Sequence, residues 1–183
     1  MTRRISVIGV ACGYGAQQHG CQDGPEVLRA FGFLEQLRDA SIEHHWGGTL
    51  HLQPAPQEAA LSLVARLCSE LAGKVRQTIA NGSFPLVLGG DHSCAIGTWS
   101  GVKAALPEQA RLGLIWIDAH MDSHTFATTP SNAIHGMPLA CLLGYGDPHL
   151  ARIASPQKKL LPQDICLIGT RSFEEGEARL LQQ

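Results

Sequence analysis

A segment near the middle of the chain carries three side chains that can bind a metal ion, spaced two residues apart. Residues 112–117 (LGLIWI) form an apolar run typical of a buried strand, and Asp118, His120 and Asp122 follow it directly. Carboxylate and imidazole ligands without a thiolate favour Mn²⁺, Fe²⁺ or Zn²⁺ over the metals of sulfur-rich sites. The segment therefore indicates a transition-metal site at the end of a strand.

A second segment upstream has the same arrangement. Residues 84–93 (FPLVLGGDHS) pass from an apolar run through two glycines to Asp91 and His92. Open α/β sheets bind ligands at the carboxyl ends of their strands, so the two segments are expected to meet at one sheet edge. Asp91 is expected to orient a ligating histidine. The ligands themselves are predicted to be four: His92, Asp118, His120 and Asp122.

The remaining elements must position these two segments. Strands alternate with amphipathic helices along the chain, which favours a parallel sheet covered by helices on both faces. Five strands are predicted, at residues 5–10, 42–46, 84–88, 112–117 and 165–168. Helices are predicted at residues 25–37, 58–80, 93–105, 136–143 and 173–181. No linker divides the sequence, so residues 1–183 are expected to form one domain with a three-layer α/β/α fold.

Composition and charge argue against several classes of protein. Hydrophobic residues make up 44% of the chain and charged residues 16%, with a net charge of −2. These values give no reason to expect nucleic acid or a membrane surface as a partner. No apolar run approaches the ~20 residues of a membrane helix, and MTRRISVIGV is too short for a signal peptide. The six cysteines form no C-x-x-C pair, so buried thiols in a reducing cytoplasm are expected rather than disulfides.

The two metal-binding segments resemble the first two metal motifs of the arginase–agmatinase ureohydrolases. The similarity lies in LGGDHSCAIGTWSG (residues 88–101) and WIDAHMDSHTFATTPSNAIHGMPLACLLG (residues 116–144), and it is closest to arginases. The segment HGCQDGPEVLRAFG (residues 19–32) also resembles the early loop and helix of that family. The resemblance covers nearly the whole chain and implies an arginase-like α/β fold.

The resemblance implies a binuclear Mn²⁺ site. By it, one ion would be held by His92, Asp118 and Asp122. The second ion would be held by His120, with Asp118 shared between the two. Two metals ~3.5–4 Å apart can activate a water molecule for attack on a guanidine carbon, which is a poor electrophile.

The resemblance also implies a small guanidino substrate. Asp122 is expected to orient the attacking water, and His135 matches a family histidine proposed to shuttle protons. Ser131 matches a residue that helps bind the α-carboxylate of the substrate. His124 stands where arginases usually have asparagine, and Ala133 replaces another asparagine of the substrate loop. Because of these two differences, agmatine or another guanidino compound remains an alternative substrate.

One motif of the family has no counterpart in the sequence. The family carries D-x-D-x-x-D-P, whose two leading aspartates complete both metal sites, and a glutamate beyond it that binds the guanidinium. After His135 the only aspartates here are Asp147 and Asp164, and they form no D-x-D. We expect a C-terminally incomplete version of the fold, with residues 165–168 as an unpaired edge strand. Such an edge favours association with another copy of the chain.

The function expected from the resemblance is hydrolysis of L-arginine to L-ornithine and urea by a cytoplasmic manganese enzyme. Alternatives are an agmatinase-like or other guanidino or amidino hydrolase, and a truncated non-catalytic relative kept for metal binding. A zinc deacetylase is a further alternative, because those enzymes share the broad fold and a D-x-H ligand set. The GGDH sequence and the second aspartate of DAHMD count against it.

Overall fold

A computed structural model describes residues 4–17 and 20–182. The first three residues of MTRRISVIGV, Gln18, and His19 at the start of the early-loop segment lie outside the described residues. The strands are β1 (Ile5–Val10), β2 (His44–Leu50), β3 (Phe84–Gly89), β4 (Leu114–Ile117) and β5 (Ile165–Ile168). The helices are α1 (Gly24–Ala30), α2 (Phe33–Asp39), α3 (Ala60–Ala80), α4 (Cys94–Ala105), α5 (Pro138–Leu142), α6 (Pro148–Ala151) and α7 (Glu175–Leu181).

All the described strand pairs are parallel, which confirms the expected α/β class. β1 lies between β2 and β3, and β4 pairs with β5. Within the described residues the strands thus form two sheets, and β3 does not pair with β4. A groove of about 660 Å³ runs along β3 and α4 and reaches Asp118, just after β4. β5 is thus an edge strand, as predicted, and β2, β3 and β4 are also edge strands within the described residues.

Most predicted elements agree with the structure to within two residues at each end, and two differ more. A strand was predicted at residues 42–46, but β2 begins at His44 and continues through two glycines to Leu50, and its register with β1 shifts between Val7 and Gly9. The single helix predicted at residues 25–37 is divided into α1 and α2 at Gly32, whose φ of 83° is incompatible with a right-handed helix. In the part of the chain that the structure describes, no helix is long and apolar enough to cross a membrane.

Close packing of α3 against α4 fixes the end of the segment at residues 84–93, which carries His92. A Cβ atom at Gly97 or Gly101 would lie 2.5 Å from a carbonyl oxygen of α3, belonging to Cys68 and Ala72 respectively. The two glycines, one helical turn apart, therefore let the two backbones approach directly. Since α4 begins two residues after His92, this contact sets the position of that histidine relative to the core.

Most of the cysteines are buried thiols, as the sequence predicted. Four cysteines are buried and form no disulfide bond: Cys12, Cys68, Cys94 and Cys141. Cys166 is exposed. Burial, reinforced by the charge of Asp91, raises the pKa of Cys12 from 9.0 to about 12. The folded chain therefore keeps this thiol proton at pH values where the unfolded chain has released it.

This shift predicts a specific loss of stability in alkaline solution. The contribution of Cys12 is complete below pH 9.0 and is lost as pH rises toward about 12, because the folded pKa is the higher one. The difference in unfolding free energy between the wild type and Cys12→Ala should shrink by about 1 kcal/mol between pH 8 and pH 10. Urea unfolding under reducing conditions measures it, since other titrating groups cancel in the difference. Cys166→Ala, at an exposed thiol, is the control, and an equal pH dependence in both variants would contradict the prediction.

Candidate metal centre

The structure brings together three of the four predicted ligands at the carboxyl ends of β3 and β4. Nδ1 of His92 lies 3.3 Å from Oδ2 of Asp118 and 2.7 Å from Oδ2 of Asp122. One ligand atom from each residue lies within 4.8 Å of the others, which is the separation expected around a single ion. We call these three residues the histidine–aspartate site.

The backbone holds Asp122 in place at some conformational cost. Its φ of 49° lies in the left-handed region that residues with a Cβ atom rarely occupy. Its carbonyl oxygen accepts hydrogen bonds from the N–H groups of Leu139 and Ala140, in the first turn of α5. The loop after β4 is thus fixed against a helix, and the Asp122 side chain is buried with 5% of the residue exposed.

The contacts within the histidine–aspartate site fit a metal ion. Oδ2 of Asp122 is buried and accepts no hydrogen bond, although Nδ1 of His92 lies only 2.7 Å from it. A buried carboxylate oxygen and a ring nitrogen that face one another in this way need a proton or a cation between them. One imidazole and two carboxylates are ligands suited to Mn²⁺, Fe²⁺ or Zn²⁺.

His120 lies beside the site rather than within it. Its Nδ1 is 3.1 Å from Oδ1 of Asp118, and its backbone N–H donates to the same oxygen at 2.8 Å. The other oxygen of Asp118, Oδ2, faces His92. Asp118 therefore presents one oxygen to each histidine, which is the arrangement needed for a carboxylate shared by two metal ions.

The surroundings of His92 correct one expectation. Asp91 does not orient His92: its carboxylate accepts instead from the N–H of Gly15 at 2.9 Å, the N–H of Ser93 at 2.8 Å and the Ser93 hydroxyl. The ring of His92 is positioned by stacking on Trp116, with centroids 4.8 Å apart. Asp91 thereby connects the segment after β1, at Gly15, to the residue before α4.

The charge of the site acts on His92. Burial by itself lowers the pKa of the imidazole, but the contact with Asp122 and the charges of Asp122 and Asp118 outweigh it and raise the pKa above its usual value. The carboxylates thus stabilise a positive charge at this position. The same field attracts a metal cation.

The site opens into a cleft of about 540 Å³ that contains the other predicted residues. His135, Ser131 and His120 line this cleft and are exposed, and Thr129, which also lines it, is half-buried. The His135 backbone N–H donates to the carbonyl of Gly15 at 3.1 Å, and the hydroxyl of Ser131 accepts from the N–H of Ala133 at 3.2 Å. Both side chains are therefore held at the wall of a cleft that ends at the histidine–aspartate site.

His124 lies in the same wall but is occupied by contacts that the sequence did not predict. Its Nε2 is 2.9 Å from Oε2 of Glu174 and 3.5 Å from Oε2 of Glu177. Contact with His124 lowers the pKa of Glu174, whereas burial raises the pKa of Glu177. The signal for these glutamates was present in the sequence, since both follow the end of β5 at the same sheet edge.

Comparison with known proteins gives a consistent result. A family model described as "Arginase family" matches residues 3–183. The arginase of Bacillus caldovelox is 41% identical over 98% of this chain and 62% of its own length. Arginase-1 of Homo sapiens is 35% identical over 99% of this chain and 58% of its own length. The crystal structure of arginase from Bacillus subtilis superposes with a TM-score of 0.90 at 38% identity, over 98% of this chain and 60% of that one. The chain thus spans about three fifths of the length of these relatives.

Proposed function

The chain belongs to the arginase family, and on that premise we propose that it acts in the manganese-dependent hydrolysis of a guanidino substrate. The proposed reaction is the conversion of L-arginine to L-ornithine and urea. The observation that carries this proposal is the convergence of His92, Asp118 and Asp122 around a buried oxygen that has no hydrogen bond. We also infer that the chain functions in the cytoplasm.

The residues of the cleft can perform the steps that this reaction requires. When bound, the Mn²⁺ ions would act as Lewis acids that lower the pKa of water. Asp122 would accept a hydrogen bond from the attacking water and orient it toward the guanidine carbon. As the carbon–nitrogen bond to the side chain breaks, His135 would deliver a proton to the departing amine, which leaves as ornithine. Ser131 and His124 would contact the far end of the substrate.

A second substrate is favoured by the surroundings of His124. Its ring nitrogens face Thr128 and Glu174, and Ala133 offers no side-chain donor. Of the three positions in the substrate loop, Ser131 alone then offers a side-chain hydroxyl to a carboxylate, and that hydroxyl already accepts from the N–H of Ala133. Agmatine lacks that carboxylate, so an agmatinase-like activity is the alternative.

A panel of three substrates separates the proposed activities. Arginine and agmatine labelled with ¹³C in the guanidino carbon should be incubated with the chain and Mn²⁺, and urea followed by NMR. Urea from arginine supports the proposed function, and urea from agmatine alone supports the alternative. An acetylated-amine substrate with Zn²⁺ tests the hypothesis that the chain is a zinc deacetylase. Urea formation that is absent, or equal in Asp122→Asn, would instead favour a non-catalytic metal-binding relative.

We further propose that the chain forms a homo-oligomer through the exposed apolar side chains of the β4–β5 sheet. Ile115 is 66% exposed, Ile117 is 77% exposed and Ile168 is 47% exposed. Apolar side chains exposed on neighbouring strands favour association. Light scattering after size-exclusion chromatography should show a dimer or larger species, and Ile117→Lys should shift it toward the monomer. A wild-type monomer at high concentration would count against this assembly.

A further inference from the structure

The segment that follows β1, at residues 11–17, contacts both the residues before His92 and the wall of the cleft. We call this segment the β1 loop. The N–H of Asp91 donates to the carbonyl oxygen of Cys12 at 2.7 Å. A Cβ atom at Gly90 would lie only 2.0 Å from the same oxygen, so this contact requires a glycine there. The β1 loop is therefore packed directly against the residues that lead into His92.

The carboxylate of Asp91 holds the β1 loop with one oxygen and the start of α4 with the other. Asp91 is buried, and its Oδ2 accepts from the N–H of Gly15 at 2.9 Å and from the Cys12 thiol at 3.4 Å. Its Oδ1 accepts from the N–H of Ser93 at 2.8 Å and from the Ser93 hydroxyl. A buried polar group whose hydrogen bonds are all made is rigid. Asp91 therefore fixes the residue that follows His92 relative to the β1 loop.

Gly15 extends this connection to the opposite wall of the cleft. Its N–H donates to Asp91, and its carbonyl oxygen accepts from the N–H of His135 at 3.1 Å. A Cβ atom at Gly15 would lie 2.9 Å from Oδ1 of Asp91 and 2.9 Å from the hydroxyl oxygen of Ser93. The close approach of the β1 loop to both residues thus depends on the absence of a side chain at Gly15.

The β1 loop makes a second contact with the same wall. The side-chain amide of Gln17 donates to the carbonyl oxygen of Ser131 at 3.3 Å. Ser131 and His135 both line the cleft, whereas Asp91 does not. A residue outside the cleft is therefore joined through one loop to two residues inside it.

We propose that Asp91 is a positioning residue of the candidate active site, which holds His135 through Gly15 and His92 through Ser93. The proposal rests on the proposed function, in which His135 delivers a proton while His92 holds the metal ion. These two steps need a fixed distance between the histidines, because a displacement of ~1 Å in an active site can cost ~10²-fold in rate. Asp91 keeps that distance constant without contacting the substrate.

Nuclear magnetic resonance of the metal-free, full-length chain tests the contact with His135 without any turnover. The imidazole Cε1–Hε1 signal of His135, identified by its loss in His135→Asn, should shift in Asp91→Asn and in Gly15→Ala. In Asp91→Asn an amide nitrogen would face backbone N–H donors, and in Gly15→Ala the added methyl group would push Asp91 away. Gly73→Ala is the matched control, because a Cβ atom at Gly73 would have nothing within 4 Å.

Binding of Mn²⁺, followed by electron paramagnetic resonance, tests the contact with His92 in the same variants. Asp91→Asn should weaken binding by ~10–100-fold, as loss of a group that supports a metal ligand does, and Gly73→Ala should leave it unchanged. If Asp91→Asn fails to fold, Ser93→Ala, which removes only one hydroxyl, should weaken binding in the same direction. An unmoved His135 signal or an unchanged Mn²⁺ affinity in folded Asp91→Asn and Gly15→Ala would overturn the proposal.

The kinetics of urea release separate this role from general support of the fold. In Asp91→Asn, kcat should fall by ~10²-fold with KM little changed, because the substrate contacts remain while the two histidines lose their register. A rise in KM with kcat unchanged would contradict a positioning role. Absence of urea formation by the wild type would count against the proposed function alone, since the His135 signal and the Mn²⁺ affinity still decide the role of Asp91.

Discussion

Supplied with arginine and Mn²⁺, the 183-residue chain alone should release urea at least ~10²–10³-fold more slowly than the arginase of Bacillus caldovelox assayed beside it. The physical reason is the number of ligands. Within the described residues, one imidazole and two carboxylates converge at the first metal position. The second metal position has only His120 and the shared Asp118. Carboxylates that complete a binuclear site hold two dications close together, so their absence weakens both occupancy and the activation of water.

The comparison needs equal conditions and an internal control. Both proteins should be assayed over a range of Mn²⁺ concentrations, because a weakly held second ion would show as activity that rises without saturating. Asp118→Asn should remove whatever turnover the chain has, since it removes the oxygen that faces His92 and the oxygen that faces His120. Rates within tenfold of the longer enzyme, abolished by Asp118→Asn, would show that the ligands in this chain suffice.

Asp118→Asn should also lower the affinity of the chain for Mn²⁺ by more than ~10²-fold. Changing a residue that merely supports a ligand costs ~10–100-fold in metal affinity, and Asp118 is itself a predicted ligand. The substitution preserves the size of the side chain while removing its charge. Electron paramagnetic resonance of free Mn²⁺ in the presence of the chain measures the effect directly.

Asp147→Asn is the matched control for this prediction. Asp147 also accepts a hydrogen bond from a histidine two residues later, at 2.9 Å, but it caps α6 on the surface away from the cleft. Its removal should leave Mn²⁺ affinity unchanged. Equal losses in Asp118→Asn and Asp147→Asn would point to a general effect of charge rather than to a metal ligand.

The elements that carry the candidate site could be predicted because their signals are local. Residues 112–117 and 165–168 are short apolar runs, and the structure has strands at Leu114–Ile117 and Ile165–Ile168. The expectation that the carboxyl ends of parallel strands lie together predicted the convergence of His92 with Asp118, and the two residues do lie together although β3 and β4 belong to separate sheets. The break at Gly32 was missed because the apolar spacing continues across it, and only the positive φ reveals the turn.

The contacts between distant parts of the chain could not be predicted in the same way. Glu174 follows His124 by 50 residues, and no spacing rule connects them. Asp91 was assigned to His92 because the two are adjacent in sequence, yet its carboxylate accepts from Gly15, which lies 76 residues away. A buried carboxylate takes the donors that the tertiary fold supplies, and a sequence gives no direct measure of which these are.

Anomalous diffraction from crystals grown with Mn²⁺ tests the histidine–aspartate site most directly. An anomalous peak is predicted among Nδ1 of His92 and the facing oxygens of Asp118 and Asp122, with ligand distances of ~2.0–2.2 Å. Crystals of Asp118→Asn should lose this peak. At saturating Mn²⁺, an absence of any peak between these three side chains, with the wild-type fold intact, would contradict the assignment of this cleft as the metal centre.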